Sequence, residues 1–199
     1  MAYFFKFRVL YVYREMIFMK LKDLIKSRVS NIRFNAKNVD TKLIIDLLDI
    51  AVYAPNHKMR EPWRFILLEG KEKYAFSHQY LDALNEDVRI KTEPSVSKIF
   101  SAPLLVIVVM PKNRNFRDEI EDMEANAALI QNYMLLATEE GLATAWKTPL
   151  FSETDLFKEM IGVTSDEIII GLIMTGYSDE RIEAKPRKSA ASLTTLYKS

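Results

Sequence analysis

Cysteine is absent from this chain of 199 residues, and histidine occurs only as His57 and His78. A chain without cysteine has no disulfide, no thiolate nucleophile and no cysteine-ligated metal. Two histidines are too few for a metal site made of three imidazoles, so we expect no metal. Glycine occurs five times, and no P-loop, GxGxxG or HExxH pattern is present. Any phosphate would therefore be held mainly by arginine, lysine and hydroxyl side chains.

The chain also lacks an excess of charge of either sign. Lys and Arg total 28 against 27 for Asp and Glu, which gives a formal net charge of +1. This balance gives no electrostatic reason to expect nucleic acid or an anionic membrane as a partner. Apolar residues make up 49% and charged residues 28% of the chain, fractions typical of a folded globular protein. At this length we expect one domain with a buried core.

Residues 1–19 are rich in apolar and aromatic side chains, but basic residues interrupt them, namely Lys6, Arg8 and Arg14. No run there approaches the ~20 apolar residues that span a bilayer. A continuous apolar region and a small-residue cleavage site, as in a secretory signal, are not visible either. We expect a cytoplasmic protein with its domain at residues 20–199. Residues 1–19 are an N-terminal extension, either an extra element packed on the domain or residues upstream of a start at Met16 or Met19.

Apolar runs predict four strands, at residues 63–68, 103–110, 143–147 and 168–174. The run at 103–110 is apolar on both faces, so we expect it at the centre of the sheet. Helical spacing predicts helices at residues 21–28, 118–140 and 153–161, and a further helix capped by Asp40 or Thr41 that ends before Pro55. Residues 71–98 also have a helical pattern, with a break expected at Pro94. The tail, residues 177–199, is polar and basic and predicts a long arm after an α+β domain.

The middle of the helix at residues 118–140 is apolar on nearly every face. Such a helix needs cover on more than one side. The cover is either a second chain or the interior of a monomer, and a dimer also accounts for the arm. Gly141 is expected to end this helix in the left-handed conformation.

Three separated motifs occur in a fixed order along the chain. They are Arg28-Val-Ser-Asn-Ile-Arg-Phe34, then Ala54-Pro-Asn-His-Lys-Met-Arg-Glu-Pro-Trp-Arg-Phe65, and finally Gly141-Leu-Ala-Thr-Ala-Trp146 with Gly176-Tyr177 and Lys185-Pro-Arg187. From about Leu21 to the C-terminus, this ordered set resembles the nitroreductase family of flavoenzymes, in its small-protein branch with a Pro-Asp/Asn-His motif. The chain departs from the family pattern in having Ile32 before Arg33, and Met59 and Glu61 before Pro-Trp.

The resemblance implies an α+β nitroreductase-like fold, with a central, mostly antiparallel sheet flanked by helices and a C-terminal arm exchanged across a homodimer. It also implies an enzyme that binds FMN and takes hydride from NAD(P)H. Flavin N5 would pass the hydride to a small organic acceptor such as a nitroaromatic or a quinone, in a ping-pong reaction. Because the flavin carries this chemistry, no catalytic side chain is expected.

The resemblance further implies the cofactor-binding residues. They are Arg28, Val29, Ser30, Asn56, His57, Lys98, Trp146, Lys147, Thr148, Lys185 and Arg187. Arginine provides a planar, charged fork for a phosphate, and Arg28 and Ser30 project to the same side of an extended segment. The resemblance has them converge on the FMN phosphate with Lys185 and Arg187. It places His57 against the flavin and Lys147 at the ring edge, where a cation would raise the reduction potential.

Alternatives remain open at this point. Lys185 and Arg187 are also compatible with solvated surface charges, His57 with an ordinary loop histidine, and Trp63 is expected in the core. Met59 and Glu61 are also compatible with a protein that binds flavin without turnover, as a flavin reservoir or a redox sensor. A structural homodimer whose basic arm binds another protein is the alternative outside flavin chemistry. The sequence does not distinguish NADH from NADPH.

Overall fold

The structure is a computed structural model that describes residues 20–198. The interpretation of residues 1–19 as a packed or upstream extension lies outside the described residues. Within 20–198 the chain forms six α-helices: α1 (Leu21–Ser27), α2 (Thr41–Ala51), α3 (Gly70–Asp82), α4 (Glu86–Phe100), α5 (Phe116–Glu139) and α6 (Asp155–Ile161). Short 3₁₀ turns lie at His57–Met59, Leu150–Glu153 and Ala190–Leu193.

Side-chain caps set several helix starts. The Asp40 side chain accepts a hydrogen bond from the Lys42 N–H at the start of α2, which confirms one of the two predicted caps. Asn115 caps the long helix α5 in the same way. Gly141 follows α5 at φ 74°, as predicted for a left-handed residue after a helix.

The predicted break at Pro94 is wrong. Residue Pro94 lies inside α4, and the chain instead breaks between Asp82 and Glu86, where the Asn85 side chain accepts from the Val88 N–H. Pro94 and Ile90 are both exposed. Proline has no N–H, so Pro94 leaves the Ile90 carbonyl without its helical hydrogen bond. Water can solvate that carbonyl on the exposed face, so the helix continues past the proline.

Among the residues described, four antiparallel strands form one sheet in the order β1-β2-β4-β3. They are β1 (Arg64–Glu69), β2 (Leu104–Pro111), β3 (Ala143–Lys147) and β4 (Glu167–Gly176). β2 pairs on both edges and is buried from Leu104 to Met110, so its predicted central position is confirmed. The sheet with flanking helices confirms the predicted fold class.

Alternating side chains of the sheet build two cores, one on each face. On one face, Val106 and Ile173 pack with Leu129 and Tyr133 of α5 and with residues of α2. Trp63 also packs against this core, as expected from its position before β1. On the opposite face, aromatic residues of α3, α4 and α6 cover the sheet, namely Tyr80, Phe100 and Phe157. Burying each large apolar side chain contributes roughly 1.5–3 kcal/mol to folding.

The C-terminal segment leaves the domain after Tyr177. Asn31 Nδ2 donates hydrogen bonds to Ser178 Oγ at 2.9 Å and to the Glu180 carbonyl at 3.2 Å, so the base of the segment is fixed. Every residue from 179 to 198 is exposed. The predicted arm is therefore present, and its exchange across a dimer stays a prediction.

Candidate functional site

The first motif runs along the edge of β3 that faces away from β4. The Arg28 N–H ends α1 by donating to the Leu24 carbonyl at 3.0 Å. The next residues are extended: Ser30 forms a parallel bridge with Thr144, and the Asn31 N–H donates to the Thr144 carbonyl at 3.0 Å. This pairing fixes Arg28 and Ser30 beside the strand that carries Trp146.

A cavity of about 460 Å³ lies at this edge, lined by Arg28, Ser30, Met134, Trp146 and Thr148. Four of the residues predicted to hold the cofactor thus share one cavity, which we call the Arg28 cavity. Val29 lies half-buried between two of its members and does not line it. Arg33, the other basic residue of the first motif, instead forms an ion pair with Glu180.

The guanidinium of Arg28 has an unpaired nitrogen. Its Nη1 is buried and has no hydrogen-bond partner among residues 20–198, and the same holds for Thr144 Oγ1 on the adjacent strand. A buried donor without an acceptor costs roughly 1–3 kcal/mol, more when it is charged. An anionic ligand in the Arg28 cavity would remove that cost and fits this donor.

Trp146 forms a wall between the Arg28 cavity and a second cavity. Its indole N–H donates to the Ile170 carbonyl at 3.3 Å. Gly171 makes this position possible, because a Cβ there would lie 2.0 Å from the indole nitrogen. The ring is therefore held by the backbone of β4.

The second cavity, of about 350 Å³, is lined by Lys98 from α4 and Lys147 from β3, together with Trp146 and Thr148, and we call it the lysine cavity. Neither ammonium group has a carboxylate within 4.0 Å in the part of the chain that the structure describes. Alternation along β3 explains the arrangement, because Lys147 points to the α4 face and Trp146 to the α5 face. The structure thus brings together two lysines predicted for one ring edge.

Asn56 and His57 line a third cavity, of about 380 Å³, against Glu121, Glu124, Ala125 and Ala128 of α5. His57 Nε2 lies 3.9 Å from Glu121 Oε2, and 46% of the imidazole side chain is exposed. Burial alone would raise the pKa of Glu121, but Arg60, His57 and Arg117 outweigh burial and lower it. We call this the His57 cavity.

The His57 cavity and the Arg28 cavity have no residue in common. Both contact α5, at Ala125 and Ala128 in one case and at Met134 in the other. These positions are about 9–14 Å apart along the helix axis, at 1.5 Å per residue, and face different sides. One chain therefore presents the two cavities on different sides of α5.

Lys185 and Arg187 are exposed on the C-terminal arm, and neither lines the Arg28 cavity. Arg187 Nη1 donates to the Lys185 carbonyl at 2.6 Å. Of the four predicted phosphate contacts, the structure brings together Arg28 and Ser30 only.

Sequence reasoning missed Arg60 and Asp122. The Arg60 side chain ties the loop that carries His57 to α5 through Asp122, at 2.8 Å. This hydrogen bond raises the pKa of the guanidinium above its ordinary value. The two residues are 62 positions apart, and Arg60 resembles an ordinary charged loop residue in the sequence.

Within residues 20–198, no group of three or more His, Cys, Asp or Glu side chains is placed to hold a metal ion. None of the helices described is long and apolar enough to cross a membrane.

Comparison with known proteins identifies the family. The Nitroreductase family profile matches residues 25–177. YfhC of Bacillus subtilis (strain 168), provisionally named an NAD(P)H nitroreductase, is 34% identical over 175 residues, which cover 84% of this chain and 89% of YfhC.

Two crystal structures extend the comparison. The nitroreductase-like family protein of Bacillus cereus is 32% identical with a TM-score of 0.85, covering 92% of this chain and 99% of that one. A Desulfovibrio desulfuricans nitroreductase in complex with FMN shares the fold, with a TM-score of 0.73 at 16% identity over 91% of this chain and 98% of that one. The matched residues contain the Arg28 and His57 cavities. This chain belongs to the nitroreductase family.

Proposed function

We propose that this protein is an FMN-dependent oxidoreductase that takes electrons from NAD(P)H. The observation that carries the proposal is the buried Arg28 Nη1, which has no protein acceptor within residues 20–198 and lies beside Ser30 in one cavity. Family membership supports the same conclusion, as does the name of YfhC as an NAD(P)H nitroreductase. The Desulfovibrio relative, which was solved with FMN, supports FMN as the cofactor.

The residues present fit FMN. Arg28 and Ser30 would hold the phosphate, with Lys185 and Arg187 joining them from the arm. Trp146 and Thr148 line both the Arg28 cavity and the lysine cavity, so they would lie along the cofactor between its phosphate and its ring. FMN, when bound, supplies reversible storage of two electrons taken up as hydride.

Lys98 and Lys147 would stabilise the negative charge that reduction places on the ring edge. Both ammonium groups lack a carboxylate within 4.0 Å among the described residues, so their charge is not already compensated. Asn56 and His57 would contact the cofactor from the other side. The role of the protein is then to bind, orient and tune, and nicotinamide and acceptor would occupy one pocket in turn, as in a ping-pong reaction. We propose a nitroaromatic or a quinone as the class of acceptor.

The site is completed in a homodimer. Within one chain the two cavities lie on different sides of α5, so the partner's Asn56 and His57 would complete the Arg28 cavity. Apolar side chains on α1 and around the end of α2 support an interface there, since Leu21 is 66%, Ile50 53% and Tyr53 87% exposed. All three side chains line a groove of about 360 Å³ against Leu135 and Leu136 of α5.

An absorbance spectrum of the purified protein, repeated after adding NADH without oxygen, tests the proposal. We expect the two flavin bands, and we expect them to bleach with NADH. Flavin that stays oxidised with both NADH and NADPH would indicate a reservoir or sensor. A colourless protein that takes up no added FMN would overturn the proposal and leave a non-enzymatic dimer.

A further inference from the structure

The loop between α2 and β1 has an unusual backbone. Lys58, Met59 and Glu61 have φ values of 54°, 51° and 48°, in the left-handed region that favours glycine. Residues with a Cβ are disfavoured in this region because the Cβ lies too close to the following carbonyl oxygen. Three of them directly after His57 persist only if surrounding contacts hold the loop in place.

Arg60 supplies those contacts. Its guanidinium donates to Asp122 Oδ1 at 2.8 Å, to Glu121 Oε2 at 3.3 Å and to the Asp118 carbonyl at 3.3 Å. All three acceptors belong to two adjacent turns of α5. One arginine therefore attaches the strained loop to the longest described helix through three hydrogen bonds.

The acceptor end of this attachment is rigid. Asp122 is 1% exposed, and its second carboxylate oxygen accepts from Asn113. Asn126, one turn further along, is fully buried and donates to the Pro62 carbonyl at 2.8 Å, where the loop ends. A buried carboxylate with both oxygens engaged does not reorient easily.

His57 lies at the other end of the same group of side chains. Its imidazole faces Glu121, which also accepts from Arg60 and from Arg117. The Arg60 N–H donates to the His57 carbonyl at 3.2 Å, so backbone and side chain both join the two residues. A change at Arg60 thus reaches His57 by two routes.

We propose that Arg60, through its ion pair with buried Asp122, is the positioning residue that sets the orientation of His57 at the flavin site. The inference rests on the proposed function, because the flavin is what His57 would contact. Arg60 itself touches neither the Arg28 cavity nor the His57 cavity. Lysine would not replace it fully, because one ammonium cannot reach three acceptors in the fixed geometry of a guanidinium.

A double-mutant cycle on the FMN-loaded dimer tests the inference. The variants are Arg60→Met, His57→Ala and the double variant, and the readouts are the midpoint potential of bound FMN and kcat/KM for NADH. We expect each single variant to shift the potential in the same direction and to lower kcat/KM, on the order of tenfold. The double variant should resemble His57→Ala, because Arg60 has nothing left to position.

Two further variants separate positioning from charge and from folding. Arg117→Met also removes a cation from Glu121. The Arg117 side chain is 85% exposed and forms no ion pair with the loop among the described residues. We therefore expect a potential close to wild type. Arg60→Lys keeps the charge and should fold even if Arg60→Met does not. We expect its potential to lie between those of wild type and His57→Ala, at a thermal stability close to that of wild type.

Additive effects in the cycle, a wild-type potential in Arg60→Lys, or equal effects of Arg60→Met and Arg117→Met would each overturn the inference. Failure of the wild-type protein to bind FMN would overturn the proposed function instead. The two failures are distinguishable, because the first set of results requires bound flavin.

Discussion

A Cβ built on Gly171 of β4 would lie 2.0 Å from Nε1 of Trp146 on β3, so the indole packs directly on the backbone of the neighbouring strand. This cross-strand contact fixes the position of the indole ring that separates the Arg28 cavity from the lysine cavity.

Replacing this glycine should displace the indole. For Gly171→Ala we expect a loss of roughly 1–3 kcal/mol in the free energy of unfolding, since the added methyl overpacks the site, and weaker FMN binding. Gly162→Ala is the control, because its φ of 75° adds strain but nothing lies within 4 Å of its Cβ position. Chemical denaturation and flavin fluorescence titration measure the two effects. Unchanged FMN affinity in Gly171→Ala would argue against a role for Trp146 beside the cofactor.

The phosphate assignment predicts a difference between two arginines of the first motif. Arg28→Met should weaken FMN binding roughly 10- to 100-fold, because a charge-assisted hydrogen bond contributes about 1.5–3 kcal/mol. Arg33→Met removes a charge five residues away in the same motif, but that side chain pairs with Glu180 outside the cavity. We expect Arg33→Met to bind FMN like wild type. Equal losses in both variants would indicate a general electrostatic effect instead of a specific contact.

Lys147→Met should lower the midpoint potential of bound FMN, on the order of 30 mV, which corresponds to about 1.4 kcal/mol for two electrons. The reason is the loss of a cation that favours the reduced ring. Lys91→Met is a suitable comparison, as it removes an exposed lysine on the same helix as Lys98. Spectroelectrochemical titration of both variants measures the change, and identical potentials would eliminate the role of Lys147.

Subunit mixing tests whether one site uses two chains. Arg28→Met homodimers and His57→Ala homodimers should each bind FMN weakly or turn over slowly. If the partner's His57 completes the Arg28 cavity, a mixed dimer of the two variants has one site with both changes and one intact site. We expect mixing after reversible dissociation to restore up to half of the activity per heterodimer. No recovery in verified heterodimers would place both residues in a site formed by one chain.

A stability prediction concerns Lys73, which is 1% exposed. Its ammonium donates to the Ala102 carbonyl, and burial lowers the pKa of Lys73 from 10.5 to about 8. Between pH 8 and 10.5 the folded protein has lost this proton while the unfolded chain still binds it, so stability rises with pH. Relative to Lys73→Met, the wild-type free energy of unfolding should rise by about 3 kcal/mol across this window.

Lys71→Met provides the control for that measurement, because the Lys71 side chain is 93% exposed. Its stability should follow the wild-type curve at each pH. Urea denaturation at several pH values gives the comparison, and parallel curves for wild type and Lys73→Met would refute the assignment.

Much of the fold could be predicted from the sequence because local patterns encode it. The strand at residues 143–147 has the predicted bounds, and the apolar run of β2 required burial on both faces. Pro94 misled the prediction because it lies on the exposed face of α4, where water can reach the carbonyl that the proline leaves unpaired. Its exposure is set by tertiary packing, which the local sequence does not report.

The candidate site was predictable to a different extent. Arg28, Ser30, Lys98 and Lys147 could be named from motifs, and the structure adds which of them share a cavity. Arg60 could not be named, because its partner Asp122 lies 62 residues away and neither residue has a distinctive neighbour in the sequence. The strained conformation of the loop could not be predicted either. Its residues with positive φ are not glycine, which is the residue usual in that conformation.

The bridge between Ser30 and Thr144 is the isolated pairing that joins the first motif to the sheet in the described part of the chain. A segment that pairs with the sheet at one position opens more readily than a strand within a full ladder. A ligand that grips Arg28 and Ser30 would close it, and bound ligand adds to folding stability in proportion to the logarithm of its concentration. The folded fraction of the protein would then rise with the concentration of free FMN.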